Sequence, residues 1–85
     1  MTNKEILADM GYEESIVFEN PDYDDAIIGV SHDDRVVYDY DKMIEHLVCR
    51  DNMSIEEAAD FISYDTIKSL SYAGPDAPIV MFTLQ

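Results

Sequence analysis

Nineteen Asp and Glu side chains dominate the chemistry open to this chain. Ca²⁺ and Mg²⁺ prefer carboxylate oxygens, and the run Asn20-x-Asp22-x-Asp24 has the alternating spacing with which a calcium loop begins. An EF-hand loop started at Asn20 requires Gly at its sixth position and Glu at its twelfth, where the chain supplies Asp25 and Ser31. The motif fails at both positions, and no metal is expected. His46 and Cys49 stand three apart on a helical stretch, close enough for a base and a nucleophile. Cys49 follows Val48 in an apolar run, however, and reads as a small buried hydrophobe with Arg50 as its one cationic neighbour. His32, beside Asp33 and Asp34, reads as a solvated turn residue. Pairs of carboxylates carry no information in so acidic a chain, and there is no Gly-rich phosphate loop, nucleophile elbow, Cys/His zinc set or Trp. The residues predict a protein without catalysis, metal or cofactor.

The elements that must position these side chains are read from capping and periodicity. Thr2 with Glu5 forms a capping box, Ile6, Leu7 and Met10 share a face, and Gly11 ends a helix over 3–10. Ser15 to Phe18, closed by Asn20-Pro21, reads as a strand. Residues 26–30 and 35–39 flank the polar break His32-Asp33-Asp34 as an antiparallel hairpin, with Gly29 placed for a bulge. From Tyr40 the period changes: Tyr40, Met43, Ile44, Leu47 and Val48 form a helical stripe capped by Asp39 or Asp41.

Ser54 and Glu57 make a second capping box, with Met53 stapled to Ala58, so a third helix starts at Ile55 and carries the stripe Ile55, Ala58, Ala59 and Ile62. Asp65 is placed to cap one further turn through Leu70. Ala73 to Pro78 is a loop, and the apolar run Ile79 to Phe82 predicts a last strand inside the sheet. Residues 1–85 are therefore expected to form one α+β domain, in the order α-β-β-β-α-α-β, with a small, mainly antiparallel sheet packed against helices.

The charge is the outlying property. Five Lys and Arg leave a formal net charge of -14 and a pI near 4.1, which excludes direct binding to nucleic acid or anionic lipid. Between Glu5 and Asp41 stand twelve acids against Arg35 alone. Solubility of a small domain asks for a net charge of only about 2–8, and a larger excess destabilises the fold by self-repulsion. Duplex DNA carries one charge per ~1.7 Å, so fourteen charges match about 24 Å of duplex, on a domain about 30 Å across. Such a surface suits a protein groove built for phosphates. One cysteine, no recognisable leader and no apolar run near membrane-spanning length predict a cytoplasmic location.

Tyr12, Tyr23, Tyr38 and Tyr40 are interleaved with the acids. Tyrosine serves as an interface anchor or as core with its hydroxyl at the rim; Tyr38 and Tyr40 read as core, and Tyr23 suits either role equally.

Three stretches together carry a resemblance: Asp25 to Val30; Val37-Tyr38-Asp39-Tyr40-Asp41-Lys42-Met43-Ile44-Glu45; and Met53 to Ile62 followed by Tyr64, Thr66 and Ile67. With the ending Tyr72-x-Gly74-x-x-Ala77-Pro78-Ile79-Val80-Met81, they resemble a group of short acidic proteins encoded by bacterial phages and mobile elements. The resemblance covers roughly residues 22 to 81 and implies a mobile-element origin and action in the bacterial cytoplasm. Small acidic phage proteins include inhibitors of host defence, among them anti-CRISPR and anti-restriction proteins that imitate DNA.

Charge and resemblance together lead to one expectation: a phage-type, anti-CRISPR-like inhibitor that binds the basic nucleic-acid groove of a defence nuclease. Glu13, Glu14, Asp22, Asp24, Asp25, Asp33 and Asp34 are the expected contacts and Tyr23 the anchor, all in predicted loops. The alternative is a phage accessory or adaptor protein, monomeric or dimeric, that joins partners through an apolar face.

Overall fold

A computed structural model describes residues 2–19 and 21–84, Ser71 by its backbone alone. Helix α1 (Asn3–Asp9) starts where the capping box places it: the Glu5 N–H donates to Thr2 Oγ1 at 3.1 Å, and the Thr2 N–H donates to Glu5 Oε1 at 3.5 Å. Gly11, at φ +93°, ends it in a backbone region that side chains with a Cβ avoid. Of the expected apolar face only Leu7 is buried, while Ile6 and Met10 face solvent. A seven-residue helix that buries one leucine adds little core.

Strands β1 (Ile27–Val30) and β2 (Val36–Asp39) form the expected antiparallel hairpin. Ile27 pairs with Tyr38 and Gly29 with Val37, so Ile28 is the extra residue of a bulge beside Gly29. Strand β3 (Ile79–Met81) pairs with β2 in parallel, giving the order β1-β2-β3. The sheet is therefore mixed rather than mainly antiparallel. β3 lies at an edge and is half-exposed, whereas the interior strand is β2, which carries the fully buried Val36 and Tyr38. The apolar run 79–82 is accounted for by Phe82, which leaves the sheet to stack on Tyr40 with ring centroids 4.6 Å apart.

The connection from β2 to β3 carries the remaining helices. Asp39 caps α2 (Tyr40–Asp51), accepting from the Asp41 N–H at 3.0 Å, and Asn52, left-handed at φ 55°, closes it. Met43 and Leu47 are fully buried against Tyr38, Tyr23 and Ile62; each such side chain contributes about 1.5–3 kcal/mol. Ser54 and Glu57 complete the second capping box at 3.1 and 3.2 Å and start α3 (Ile55–Phe61). Ala58 is fully buried, so α3 approaches α2 closely, but Ile55 is 70% exposed and not part of the stripe. Asp65 caps no new turn: the chain continues from α3 as a widened, π-helical stretch over Ile62–Ile67, which presents Thr66 to the core. Short 3₁₀ turns at Leu70–Tyr72 and Gly74–Asp76 lead to β3.

Ser15 to Phe18 is no strand, and the Asn20-Pro21 closure falls partly outside the described residues. The domain is α+β as expected, with a radius of gyration of 12.5 Å and extents of 36 × 29 × 27 Å. Among the described residues no helix is long and apolar enough to cross a membrane.

Candidate partner-binding surface

The eight expected contact residues divide into two groups. The turn Asp22 to Ala26 uses most of its polar atoms internally. Asp24 receives the first free N–H groups of α1, from Asn3 at 3.0 Å and Lys4 at 2.9 Å. The Asn3 side chain returns the contact, donating to the carbonyls of Asp24 at 2.7 Å and Ile27 at 3.3 Å. Asp24 is thus a capping residue that ties α1 to the body, where a carboxylate also suits the positive end of the helix dipole. Asp22 accepts from the Asp24 N–H at 3.2 Å and lies 3.9 Å from Lys4 Nζ.

Tyr23 is fully buried and offers a partner nothing. Its backbone sits in the left-handed region at φ 47°, the Phe18 ring meets it edge-on at 5.8 Å, and its hydroxyl is 2.8 Å from Thr66 Oγ1. Burial raises the phenol's pKa above its ordinary value; the Thr66 hydrogen bond opposes this, and the charges of Asp51 and Asp65 add to it. The anchor expected from sequence is core, because a large ring gains more from packing than from standing among three aspartates. Tyr38 is likewise core: its hydroxyl accepts from the Phe18 N–H at 3.1 Å, and burial pushes its pKa up to about 12. Tyr40 is half-buried against Phe82.

Asp25 is exposed, yet its Oδ2 is 3.5 Å from the Arg50 guanidinium Nη2 and 4.0 Å from His46 Nδ1. The His46 side chain is only 8% exposed, and its Nδ1 has no hydrogen-bond partner. Cys49 is exposed, contrary to the buried position expected, because it lies on the side of α2 away from the buried Met43 and Leu47. Among the described residues no three His, Cys, Asp or Glu side chains are grouped as a metal would require, and Asn20 of the acidic run lies outside them.

The hairpin turn is divided in the same way. Asp33 accepts from Ser31 Oγ and, at 3.1 Å, from Arg35 Nε. The Ser31 hydroxyl first, and the Arg35 charge second, hold its carboxyl below the usual range. Asp34, at φ 64°, stands exposed. It shares a shallow depression of about 240 Å³ with Tyr12, Glu14 and Asp76, and no Lys, Arg or His lines that depression. Glu13 is exposed in the turn beside it. Asp76 was not among the residues expected from sequence. It belongs to the loop before β3, and only the parallel pairing of β3 with β2 brings that loop near the hairpin tip. Nothing local to Gly74-Pro75-Asp76 signals this.

Among the described residues no ion pair is formed by Glu13, Glu14, Asp34 or Asp76, which gather at one end of the molecule, while Asp22, Asp24, Asp25 and Asp33 are engaged by Lys4, the α1 backbone, Arg50 and Arg35. Exposed ion pairs add little stability, about 0–1 kcal/mol, but they cancel local field. No protein family, curated protein or solved structure matches the chain.

Proposed function

We propose that this protein is a phage-type inhibitor of a host defence nuclease, anti-CRISPR in kind, which occupies a basic nucleic-acid groove in the bacterial cytoplasm and catalyses nothing itself. The observation that carries this reading is the net charge of -14 on a body 36 × 29 × 27 Å, equivalent to about 24 Å of duplex. A groove lined with Lys and Arg attracts such a surface at long range, and releases its own counterions on contact much as it does with DNA. Glu13, Glu14, Asp34 and Asp76 are the leading contacts, because their field is uncancelled and their carboxylates are free to meet a guanidinium in bidentate fashion. Asp25 and Asp22 add to the approach field but must exchange Arg50 and Lys4 for the partner's cations.

A second reading, an adaptor that docks through an apolar face, draws on the exposure of Tyr72 at 84% and Phe82 at 71%. One experiment separates them: competition between this protein and duplex DNA for a purified CRISPR effector, over a series of salt concentrations. Mimicry predicts displacement that weakens steeply with salt, and loss of at least tenfold in potency when Glu13→Gln, Glu14→Gln, Asp34→Asn and Asp76→Asn are combined. Unchanged potency in that variant, with loss in Tyr72→Ala or Phe82→Ala, would instead establish the apolar face as the docking surface.

A further inference from the structure

Ile16 to Glu19 has the composition of a strand but pairs with none. The Phe18 N–H donates to the Tyr38 hydroxyl, and the Ser15 N–H to the Tyr12 carbonyl at 3.1 Å. Among the described residues, no hydrogen bond engages the backbone of Ile16, Val17 or Glu19. Backbone groups left this way are satisfied by water, and they are available to another chain.

Beside this segment runs a groove of about 290 Å³, walled by Val17 and Phe18 on one side and by Phe61, Leu70 and Ala73 on the other. Glu19 and Asp65 stand in its lining, and no Lys, Arg or His does. Ile16 is shared between this groove and the depression that holds Glu14, Asp34 and Asp76, so the apolar channel opens onto the acidic end. The volume is at the lower limit for a small-molecule site, about 300–1,000 Å³, and suits one large side chain. A second copy of this chain is a poor occupant, since it brings another net -14 to a groove already rimmed with acids.

We propose that Ile16–Glu19 is an open pairing edge that takes an extended, arginine- or lysine-bearing segment of the partner protein by strand addition. Main-chain hydrogen bonds to Val17 and Glu19, the alternate residues on the side away from the Phe18 N–H, supply the register, an apolar side chain fills the groove, and flanking cations meet Glu19 and Asp65 at one end and Glu14 at the other. This deepens the proposed function by naming where part of the basic partner is held, and rests on that reading for the partner's charge alone.

The test uses the full chain, isotopically labelled, and a blocked Arg-Val-Arg-Val-Arg peptide as probe. Strand addition predicts amide shifts confined to residues 16–19 and 61–73, and slowed hydrogen exchange at Val17 and Glu19. It also predicts at least tenfold weaker binding by the same peptide with its valine amides methylated, which keeps charge but removes donors and blocks pairing. Glu19→Gln combined with Asp65→Asn should weaken the unmodified peptide several-fold. Equal binding by the methylated peptide, shifts centred on Glu13, Glu14 and Asp34 instead, or no binding at all would overturn strand addition. None of those results touches the salt-dependent competition for the nuclease, which fails or stands separately. Because the decisive change is made in the peptide, no folding defect in a variant can mimic the outcome.

Discussion

The turn Asp22 to Ala26 and the acidic end formed by Glu13, Glu14, Asp34 and Asp76 have nearly the same character in sequence: tyrosine beside carboxylates, in a loop. In the folded chain they differ in what satisfies them. In the first, Asp24 caps α1, Asp22 and Asp25 face Lys4 and Arg50, and Tyr23 is core. In the second, no cation lines the depression, Tyr12 is half-buried at its wall, and the carboxylates face water. A carboxylate is available to a partner only where the fold has not already used it. Acid density along the chain therefore overstates the binding surface, and the local hydrogen-bond inventory corrects it.

The contrast can be broken most strongly at Tyr23. Tyr23→Ala empties a fully buried site between Phe18 and His46 and is expected to cost about 3–5 kcal/mol, read as a lowered urea midpoint. Tyr23→Phe keeps the packing and loses only the Thr66 contact, at about 1 kcal/mol. Were Tyr23 an interface anchor instead, alanine there would spare stability and weaken partner binding.

Alkaline pH probes the same buried tyrosines without mutation. A phenol whose folded pKa lies above its unfolded value near 10 keeps its proton in the fold after the unfolded chain has released it. The stabilisation from Tyr38 is then complete below about pH 10 and is lost as pH rises toward about 12, with Tyr23 contributing in the same direction. Far-UV circular dichroism and phenolate absorbance should change together within that window. Phenolate signal from Tyr23 and Tyr38 well below the unfolding transition would show that these rings are open to solvent.

Asp24 gives the next smaller effect. Asp24→Ala leaves the Asn3 and Lys4 N–H groups without their carboxylate and should cost about 1–2 kcal/mol, with hydrogen exchange accelerating first in α1. Asp25→Ala, which loses only exposed ion-pair contacts, should lie within about 0.5 kcal/mol of the parent. Equal losses at the two positions would erase the distinction between a capping aspartate and a free one.

How far these differences could be read from sequence depends on the range of the interaction. Both capping boxes are set by residues three positions apart, the α2 cap narrows to Asp39 or Asp41, and the hairpin with its bulge beside Gly29 pairs residues no more than 11 positions apart, so each is legible. The parallel β2–β3 pairing is joined by the 39 residues 40–78 and has no local signature, so nothing in the sequence signals that β3 is an edge strand or that Asp76 lies near the hairpin tip. Ser15 to Phe18 has strand composition but pairs with neither edge strand of the sheet, packing through Phe18 onto Tyr23 and Tyr38 instead. Ile55 is in phase with the buried face of α3 but stands at its first position, beyond the contact with α2, and Cys49 lies on the side of α2 away from Met43 and Leu47. The capping role of Asp24 depends on a residue 21 positions away, and Tyr23 could not be told from an exposed anchor without its left-handed backbone.

The smallest expected effect on stability is at the acidic end. Neutralising Glu13, Glu14, Asp34 and Asp76 together removes four like charges that no described cation balances, and disturbs no hydrogen bond assigned to them. The melting temperature should stay within the change that about 0.5 kcal/mol produces, or rise slightly as self-repulsion falls. Neutralising Asp22, Asp24, Asp25 and Asp33 removes the same formal charge but should lower it, because Asp24 and Asp33 lose donors that the fold aims at them. On a basic nuclease the order should invert: the first variant loses affinity and most of its salt dependence, and the second loses less of both. Equal salt slopes for two variants of equal charge would mean that only total charge matters, and that the acidic end is no more a contact surface than the capped turn is.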